Sequence, residues 1–406
     1  MENRYDKYKD SGIAWIGEIP EHWEVCSIKQ IMKNKSIKGF PNETVLSLYR
    51  DFGIIPKDSR DDNHNVTSED TSNYKLVENG DFVINKMKAW QGSMAISDFK
   101  GIISPAYYIC KIFSPKVVRK YIHYLLRDES YKAEYMRLST GMRIGQWDLN
   151  IDDFLQINTI LPLLSEQQSI ATYLDQKCGE INELITLQEE MITKLQSYKQ
   201  SVITEAVTKG LDKNVPLKDS GIEWIGEIPE HWKVVKIKYL AKIKSGDSIS
   251  SNELIQAGIY EVYGGNGLMG YCNKNNVNGF NIIIGRVGAL CGNVRLISDS
   301  KFITDNALIL NCFDNALYPY MYIMLKAANL NNLNTSNAQP LITGSKVLNV
   351  SLPIPPLSEQ QSIADYLDQK CSEIDELISI KQQKIEKLKD YKKSLIFECV
   401  TGKRKV

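Results

Sequence analysis

The side chains able to do chemistry in this chain are many, but their spacing points away from catalysis. Its four histidines, His22, His64, His123 and His231, form neither an HExxH pair nor a cluster at ligand spacing, and its eight cysteines contain no CxxC. Cys178 and Cys371 fall inside helical patterns, so we read the cysteines as reduced structural thiols and expect no bound metal. There is no GxxxxGK[ST] phosphate loop, no NPPY-like or DPPY-like tetrapeptide and no paired-carboxylate nuclease motif. One GxGxxG occurs, Gly265-Asn-Gly-Leu-Met-Gly270, but YCNKNNVNG follows it where a dinucleotide site needs a helix. A strand-connecting loop is the expected structure there.

What remains is hydrogen-bonding chemistry of the kind that reads a base edge. Arginine or lysine suits guanine, asparagine or glutamine suits adenine, and other basic or polar groups hold phosphates. Lys86 in FVINKM and Arg286 in NIIIGRV follow similar apolar runs and precede glycine-containing turns, so both are expected on one shared kind of face. Gln146 corresponds to Gln339, each in a polar segment ahead of a helix start, and Lys88, Gln91, Arg143, Asn266, Lys274, Asn337 and Lys346 complete the candidate set.

The elements that position these residues emerge on comparing the chain with itself. KDSGIAWIGEIPEHWEV at 9–25 returns as KDSGIEWIGEIPEHWKV at 218–234, an offset of 209 residues. LSEQQSIATYLDQKC at 164–178 returns as LSEQQSIADYLDQKC at 357–371, an offset of 193. Between them lie two dissimilar blocks of one plan: short runs rich in Ile, Val and Tyr, then a helical stretch (117–138 and 318–330), then a polar segment. The fold class is α+β: two mixed α/β domains joined by two long helices in an internal repeat. The expected limits are 1–160 and 211–353 for the domains, 161–210 and 354–406 for the helices.

Each helix is expected to open on a capping box, with Ser165 and Gln168 or Ser358 and Gln361 as its polar pair. The 4–3 spacing predicts a coiled-coil seam through Ile170, Leu174, Lys177, Ile181, Leu184, Gln188, Met191, Leu195, Tyr198 and Val202. Its repeat is Ile363, Leu367, Lys370, Ile374, Leu377, Lys381, Lys384, Leu388, Tyr391 and Leu395. Leu187, Ile192 and Ile203, with Ile380, Ile385 and Ile396, fall off that seam as flanking core or a docking stripe. Two nearly identical helices most simply pair with each other, antiparallel, about a pseudo-two-fold axis. About forty residues make a rod of ~60 Å, with Gly210 and Gly402 where the helices should stop. Trp15, Trp23, Trp224 and Trp232 lie in the unchanging motifs and are expected to lock structure rather than to stack on bases.

Charge supports a polyanion as the partner of the variable blocks. The chain of 406 residues balances 49 Lys and Arg against 49 Asp and Glu. Residues 24–160 hold 19 basic against 17 acidic side chains, and residues 233–353 hold 11 against 6, so the motifs and helices carry the compensating negative charge. With 24% charged residues and a mean hydropathy of −0.28 the chain is neither a disordered tail nor a membrane protein. The polar start MENRYDKYKD points to the cytoplasm.

The order of variable block and constant helix, twice over, with WIGEIPEHW leading each half and PLLSEQQSIATYLDQK or PPLSEQQSIADYLDQK opening each helix, resembles the specificity subunit of type I restriction-modification enzymes. The resemblance covers essentially the whole chain. It implies a non-catalytic subunit whose two target-recognition domains each read half of a bipartite double-stranded DNA sequence. The paired helices are then a ruler between half-sites and a dock for two modification (methyltransferase) subunits, with separate restriction subunits for cleavage. S-adenosylmethionine, ATP and magnesium are expected on those partners and no cofactor on this chain. Major-groove reading with half-sites about one helical turn, ~34 Å, apart is the implied mechanism, and the unlike blocks imply an asymmetric target. A coiled-coil scaffold whose variable blocks bind protein, and a self-sufficient methyltransferase or nuclease, are the alternatives. Steep salt dependence of DNA binding separates the first reading from the scaffold.

Overall fold

The computed structural model describes residues 4–49, 53–60, 67–68, 70–141, 147–288, 290–334 and 340–406. The chain divides into two compact units, residues 1–188 with 383–406, and residues 189–382. Each unit therefore combines one variable block with the first part of the long helix that follows it and the last part of the other long helix.

In the first unit the centre is a four-stranded antiparallel sheet in the order Met32–Lys35, Tyr107–Ile112, Phe82–Asn85, Met94–Ile96. Phe82, Val83 and Ile84 are all buried, because successive side chains enter different cores: Phe82 and Ile84 join the large cluster, Val83 a smaller one with Leu46, Ile54 and Ile103. A strand covered on both faces reads as an unbroken apolar run rather than an alternation. Helices Arg119–Arg127 and Glu129–Leu138 lie in the large cluster through Tyr121, Leu125, Tyr131 and Tyr135. The expected single helical stretch breaks at Asp128, whose side chain accepts from Ser130 N and caps the second helix. His123 is half-buried there, accepts from Ile96 N, and is pushed down to about 3 by desolvation and the Arg127 charge. It is therefore a neutral histidine held in the domain's own hydrogen bonding.

The second unit repeats this plan. Its sheet runs Ala241–Ser245, Ala307–Cys312, Asn281–Gly285, Val294–Ile297. Ile282 and Ile284 again face the large core while Ile283 faces a separate one. Helix Tyr318–Ala327 covers the sheet. Of Gly265-Asn-Gly-Leu-Met-Gly270 only Gly265-Asn266 forms the strand-connecting turn; Gly267–Gly270, expected as loop, belong to the strand Gly267–Cys272 that pairs with Tyr260–Gly264.

The two long helices span Leu164–Lys209 and Leu357–Val400. Their packing is antiparallel in both units. Lys392 Nζ donates to Asn182 Oδ1 at 2.8 Å in the first unit, and Lys199 Nζ meets Asp375 at 2.6 Å in the second. Among the described residues, no helix is long and apolar enough to cross a membrane.

Two expectations about these helices are corrected. First, the seam keeps every second expected position and moves the alternate ones by one residue, so that Lys177, Leu184, Met191 and Tyr198 give way to Cys178, Ile185, Ile192 and Lys199, and Lys370, Leu377, Lys384 and Tyr391 to Cys371, Ile378, Ile385 and Lys392. The inward line is Leu174, Cys178, Ile181, Ile185, Gln188, Ile192, Leu195, Lys199 and Val202, repeated as Leu367, Cys371, Ile374, Ile378, Lys381, Ile385, Leu388, Lys392 and Leu395. Ile170, Leu174, Ile181, Leu195, Ile363, Leu367, Ile374 and Leu388 are buried or half-buried as expected, whereas Leu184 and Leu377 are 42% and 46% exposed. Both phases of the 4–3 spacing carry apolar residues, so periodicity could not choose between them. Ile192 and Ile385 move into the seam; Leu187 and Ile380 stay outside it and exposed.

Second, the helix starts use a different glutamine. The first helix begins at Leu164, and Gln167, fully buried, donates to Pro162 O and Lys116 O, both at 2.9 Å, and accepts from Val118 N. Gln360 likewise donates to Pro355 O, and Glu166 accepts from Leu163 N. Gln168 and Gln361 bond one turn onward, to Thr172 and Asp365. The repeat thus places its buried amide where it ties the domain to the helix.

The tryptophans divide by depth. Trp23 and Trp232 are fully buried, while Trp224 is 41% exposed. Trp23 and Pro20 lie against Gly402, and Trp232 and Pro229 against Gly210, just past the ends of the second and first long helices. Both glycines have φ of +74°, and a Cβ on Gly402 would come within 2.3 Å of Pro20 and 3.1 Å of Trp23. Only glycine satisfies both the left-handed backbone and the close approach. Trp23→Ala and Trp232→Ala are expected to lose about 3–5 kcal/mol each in urea melts, and Trp224→Ala less than about 0.5 kcal/mol.

Candidate nucleic-acid interface

Lys86 and Arg286 occupy equivalent positions. Each directly follows the most buried strand of its sheet, and each donates its backbone N–H across the sheet end, Lys86 to Ala106 O (3.3 Å) and Arg286 to Asn306 O (3.0 Å). The residue before each is held alike, Asn85 N to Ser93 O and Gly285 N to Asn293 O. The surroundings then diverge. Asn85 caps a 3-10 helix, Lys86–Gln91, by accepting from Met87 N. At Gly285 a Cβ would meet Gly265 O at 2.6 Å, and at Gly265 a Cβ would meet Asn306 O at 2.7 Å, so three loops close around Arg286 through glycine backbone.

The two side chains are also set differently. Lys86 Nζ lies 3.7 Å from Asp148, beside the edge-on pair Trp90 and Trp147. Arg286 Nη1 donates to Ser245 Oγ at 3.2 Å, and its Nε is buried without a partner among the described residues. A guanidinium anchored on one side keeps part of its fork for a base edge or a phosphate.

The other candidates separate by what already holds them. Lys88 is exposed and Gln91 half-buried on the same 3-10 helix as Lys86. Asn266 is exposed at its hairpin tip, where its carbonyl accepts from Arg295 Nη2 at 2.8 Å. Lys274 is paired with Glu253, whose carboxyl it helps hold down to about 2, and lies over the Phe302 ring. Lys346 donates to Leu333 O at 3.0 Å. The first unit thus groups Lys86, Lys88 and Gln91, the second groups Arg286 and Asn266, and Lys274 and Lys346 are engaged within the chain. Arg143, Gln146, Asn337 and Gln339 lie outside the described residues.

Several groups at these sites carry no signal in the sequence. Lys75 donates to Tyr107 O at 2.6 Å and lies 5.5 Å from the Tyr108 ring centre. Burial, with the charges of Lys86 and Lys38, presses its ammonium below the usual lysine range. Arg295 and Ser245 reach their places from strands far away in sequence. Asn85 was legible in principle, being the polar residue directly before a candidate.

Comparison with known proteins identifies the family and the fold. The family model described as "Type I restriction modification DNA specificity domain" matches twice, at residues 20–194 and 229–390. The chain is 26% identical to the type I restriction enzyme MjaVIII specificity subunit of Methanocaldococcus jannaschii, across 96% of this chain and 94% of that one. It is 32% identical to the EcoprrI specificity subunit of Escherichia coli over about a third of each, 32% and 33%. In fold it is similar to a chain from a structural study of complex assembly and conformational transition of the type I R-M system, at TM-score 0.73 and 17% identity, covering 94% and 98%. It is also similar to the HsdS subunit from Thermoanaerobacter tengcongensis, at TM-score 0.53 and 16% identity, covering 95% and 98%.

This is a non-catalytic recognition subunit with two DNA specificity domains. The chain belongs to the family of type I restriction-modification specificity subunits.

The closeness of two cations in the first unit has a measurable consequence. Lys86→Ala is expected to raise the pKa of Lys75, followed by NMR titration of its side-chain nitrogen, because one like charge beside it is removed.

Proposed function

We propose that each domain, within residues 1–160 and 211–353, reads one half of an asymmetric bipartite duplex target. Lys86 leads in the first domain, with Lys88 and Gln91 beside it; Arg286 leads in the second, with Asn266. The observation that carries this is that two domains of one topology put a cation at the same strand end, held by the same backbone bond, and then surround it with different loops. Shared placement with unlike surroundings suits two readers of unlike sequences. Arg143, Gln146, Asn337 and Gln339 are kept as contacts from the polar segments, and Lys274 and Lys346 as phosphate contacts that would exchange an internal partner for DNA.

The helices are proposed to set the distance between half-sites, about one turn of duplex, and to dock two methyltransferase subunits. Leu187 and Tyr198 on the first helix are 52% and 57% exposed, and Ile380 and Tyr391, the same positions of the repeat, are 50% and 52% exposed. Apolar side chains held outside the seam in both copies suit two identical partners. Restriction subunits complete the complex in the cytoplasm, and S-adenosylmethionine, ATP and magnesium belong to the partner subunits.

Co-expression with the modification subunits and mapping of methylated adenines tests the reading. A split motif is expected, and replacing residues 24–160 should change one side of it only; an unchanged motif overturns the two-reader assignment. Arg286→Ala should relax one position in the other half and cost about 1–3 kcal/mol there. For docking, Leu187→Asp and Ile380→Asp should each remove one modification subunit by native mass spectrometry, and together both.

A further inference from the structure

Lys86 does not reach its strand end alone. Asp148 Oδ2 lies 3.7 Å from its Nζ, and both side chains remain open to an outside group, 33% of the lysine and 48% of the aspartate being exposed. Asp148 is brought there from a distant stretch of chain. It pairs with Thr140 in a short ladder, and the next residue, Leu149, is buried in the large cluster. Asn150 then caps helix Ile151–Gln156 by accepting from Asp152 N at 2.8 Å. On the other side Trp147 meets Trp90 edge-on, with ring centres 5.4 Å apart, and Trp90 donates to Met87 O on the 3-10 helix that Lys86 opens.

The pair is also loose. Neighbouring ion pairs of the same block close to hydrogen-bond length, Lys35 with Asp81 at 2.5 Å and Lys132 with Glu129 at 2.6 Å. A separation of 3.7 Å is beyond that length. The two charges attract each other, yet Lys86 keeps its donors and Asp148 its acceptor for a third group. Asp148 Oδ1 is buried without a hydrogen-bond partner among the described residues, so an incoming group meets Oδ2, the oxygen that faces Lys86. A donor and an acceptor set side by side match the major-groove edge of a base pair. In G·C, guanine O6 accepts and cytosine N4 donates, and these atoms lie about 2.9 Å apart because they bond to each other. One ammonium can serve guanine O6 and N7 together, and a carboxylate, which only accepts, suits the amino group of cytosine. In A·T the adenine amino group separates the two acceptors, so one ammonium meets only one of them.

We propose that Asp148 is a specificity residue of the first domain and that it reads one G·C pair jointly with Lys86, which donates to guanine O6 and N7 while Asp148 Oδ2 accepts from cytosine N4. The assignment rests on the DNA-reading function proposed above and names the base pair that Lys86 meets. At the equivalent place in the second domain Arg286 meets the Ser245 hydroxyl instead, so the acceptor-only partner is particular to the first half-site.

The test uses the full chain co-purified with its modification subunits, a plasmid library of random sequence, and sequencing of the methylated positions. Asp148→Asn, which keeps the shape of the side chain and adds a donor, is expected to let A·T replace G·C at one position of the first half-site. The preference for G·C there should fall about tenfold or more. Lys86→Ala should relax that same position and leave the others as they were. Relaxation at two different positions, or at a position that holds A·T in the unaltered motif, overturns the joint reading. An unchanged motif in Asp148→Asn overturns it too, since the carboxylate then only offsets the Lys86 charge. Should Asp148→Asn methylate nothing, Asp148→Glu, which keeps the carboxylate, decides: the original motif at a lower rate upholds the reading, and silence in both variants marks a structural role and overturns it. Each of these overturning results leaves the proposed function standing. An unaltered complex whose motif is not split, or does not respond to replacement of residues 24–160, defeats the proposed function and the joint reading with it.

Discussion

The C-terminal end of each long helix is buried, and a buried helix end must have its last carbonyl groups satisfied and its backbone turned aside. Both ends solve this in the same way. Tyr121 donates to Val400 O at 3.0 Å in the first unit, and Tyr320 lies 3.3 Å from Val207 O in the second. A tryptophan and a proline of the repeated motif close over the following glycine. A loss at any of these groups exposes the core cluster in which Leu395, Cys399 and Val400, or Val202, Ala206 and Val207, are packed. The near-identity of the two motifs follows, because both perform this one task on nearly the same helix.

From that joint the chain is led to the strand end that carries Lys86 or Arg286 by steps that are also duplicated. The strand after each motif pairs antiparallel with the strand that precedes a long helix, Glu24–Ser27 with Asn158–Leu161 and Lys233–Lys236 with Ser351–Ile354. A histidine of each motif meets a glutamate of the helix's first turn, His22 with Glu166 at 2.9 Å and His231 with Glu359 at 2.7 Å. These exposed pairs add little energy, and they join motif to helix in the same way in both units. The sheet is then free to vary at the opposite task, and its central strand delivers Lys86 or Arg286 to the surface.

Divergence between the domains is concentrated in the loops beyond the sheet. The buried strands keep the same alternation, Phe82-Val83-Ile84 against Ile282-Ile283-Ile284, since any change there disturbs two cores at once. The loops beyond them carry a capped 3-10 helix and the aspartate beside Lys86 in the first domain, and a glycine-packed cluster about Arg286 in the second. A rigid scaffold tolerates such variation in its loops without a change of topology.

Much of this was legible in the residues alone. The duplicated motifs disclosed the two-fold plan, the 4–3 spacing disclosed two long helices, and matching apolar runs paired Lys86 with Arg286 across a weak likeness. These are properties of local order, and local order is written along the chain. The phase of the seam was not, because Leu184, Leu187 and Ile185 are equally apolar and only packing against the partner helix selects Ile185. Nor was the buried glutamine legible, since Gln167 and Gln168 differ only in the direction that the first helical turn gives them. The approach of Asp148 to Lys86 and the pairing of Lys274 and Lys346 depend on strands and loops distant in sequence meeting in space, and tertiary structure alone decides which side chains such meetings leave available for DNA.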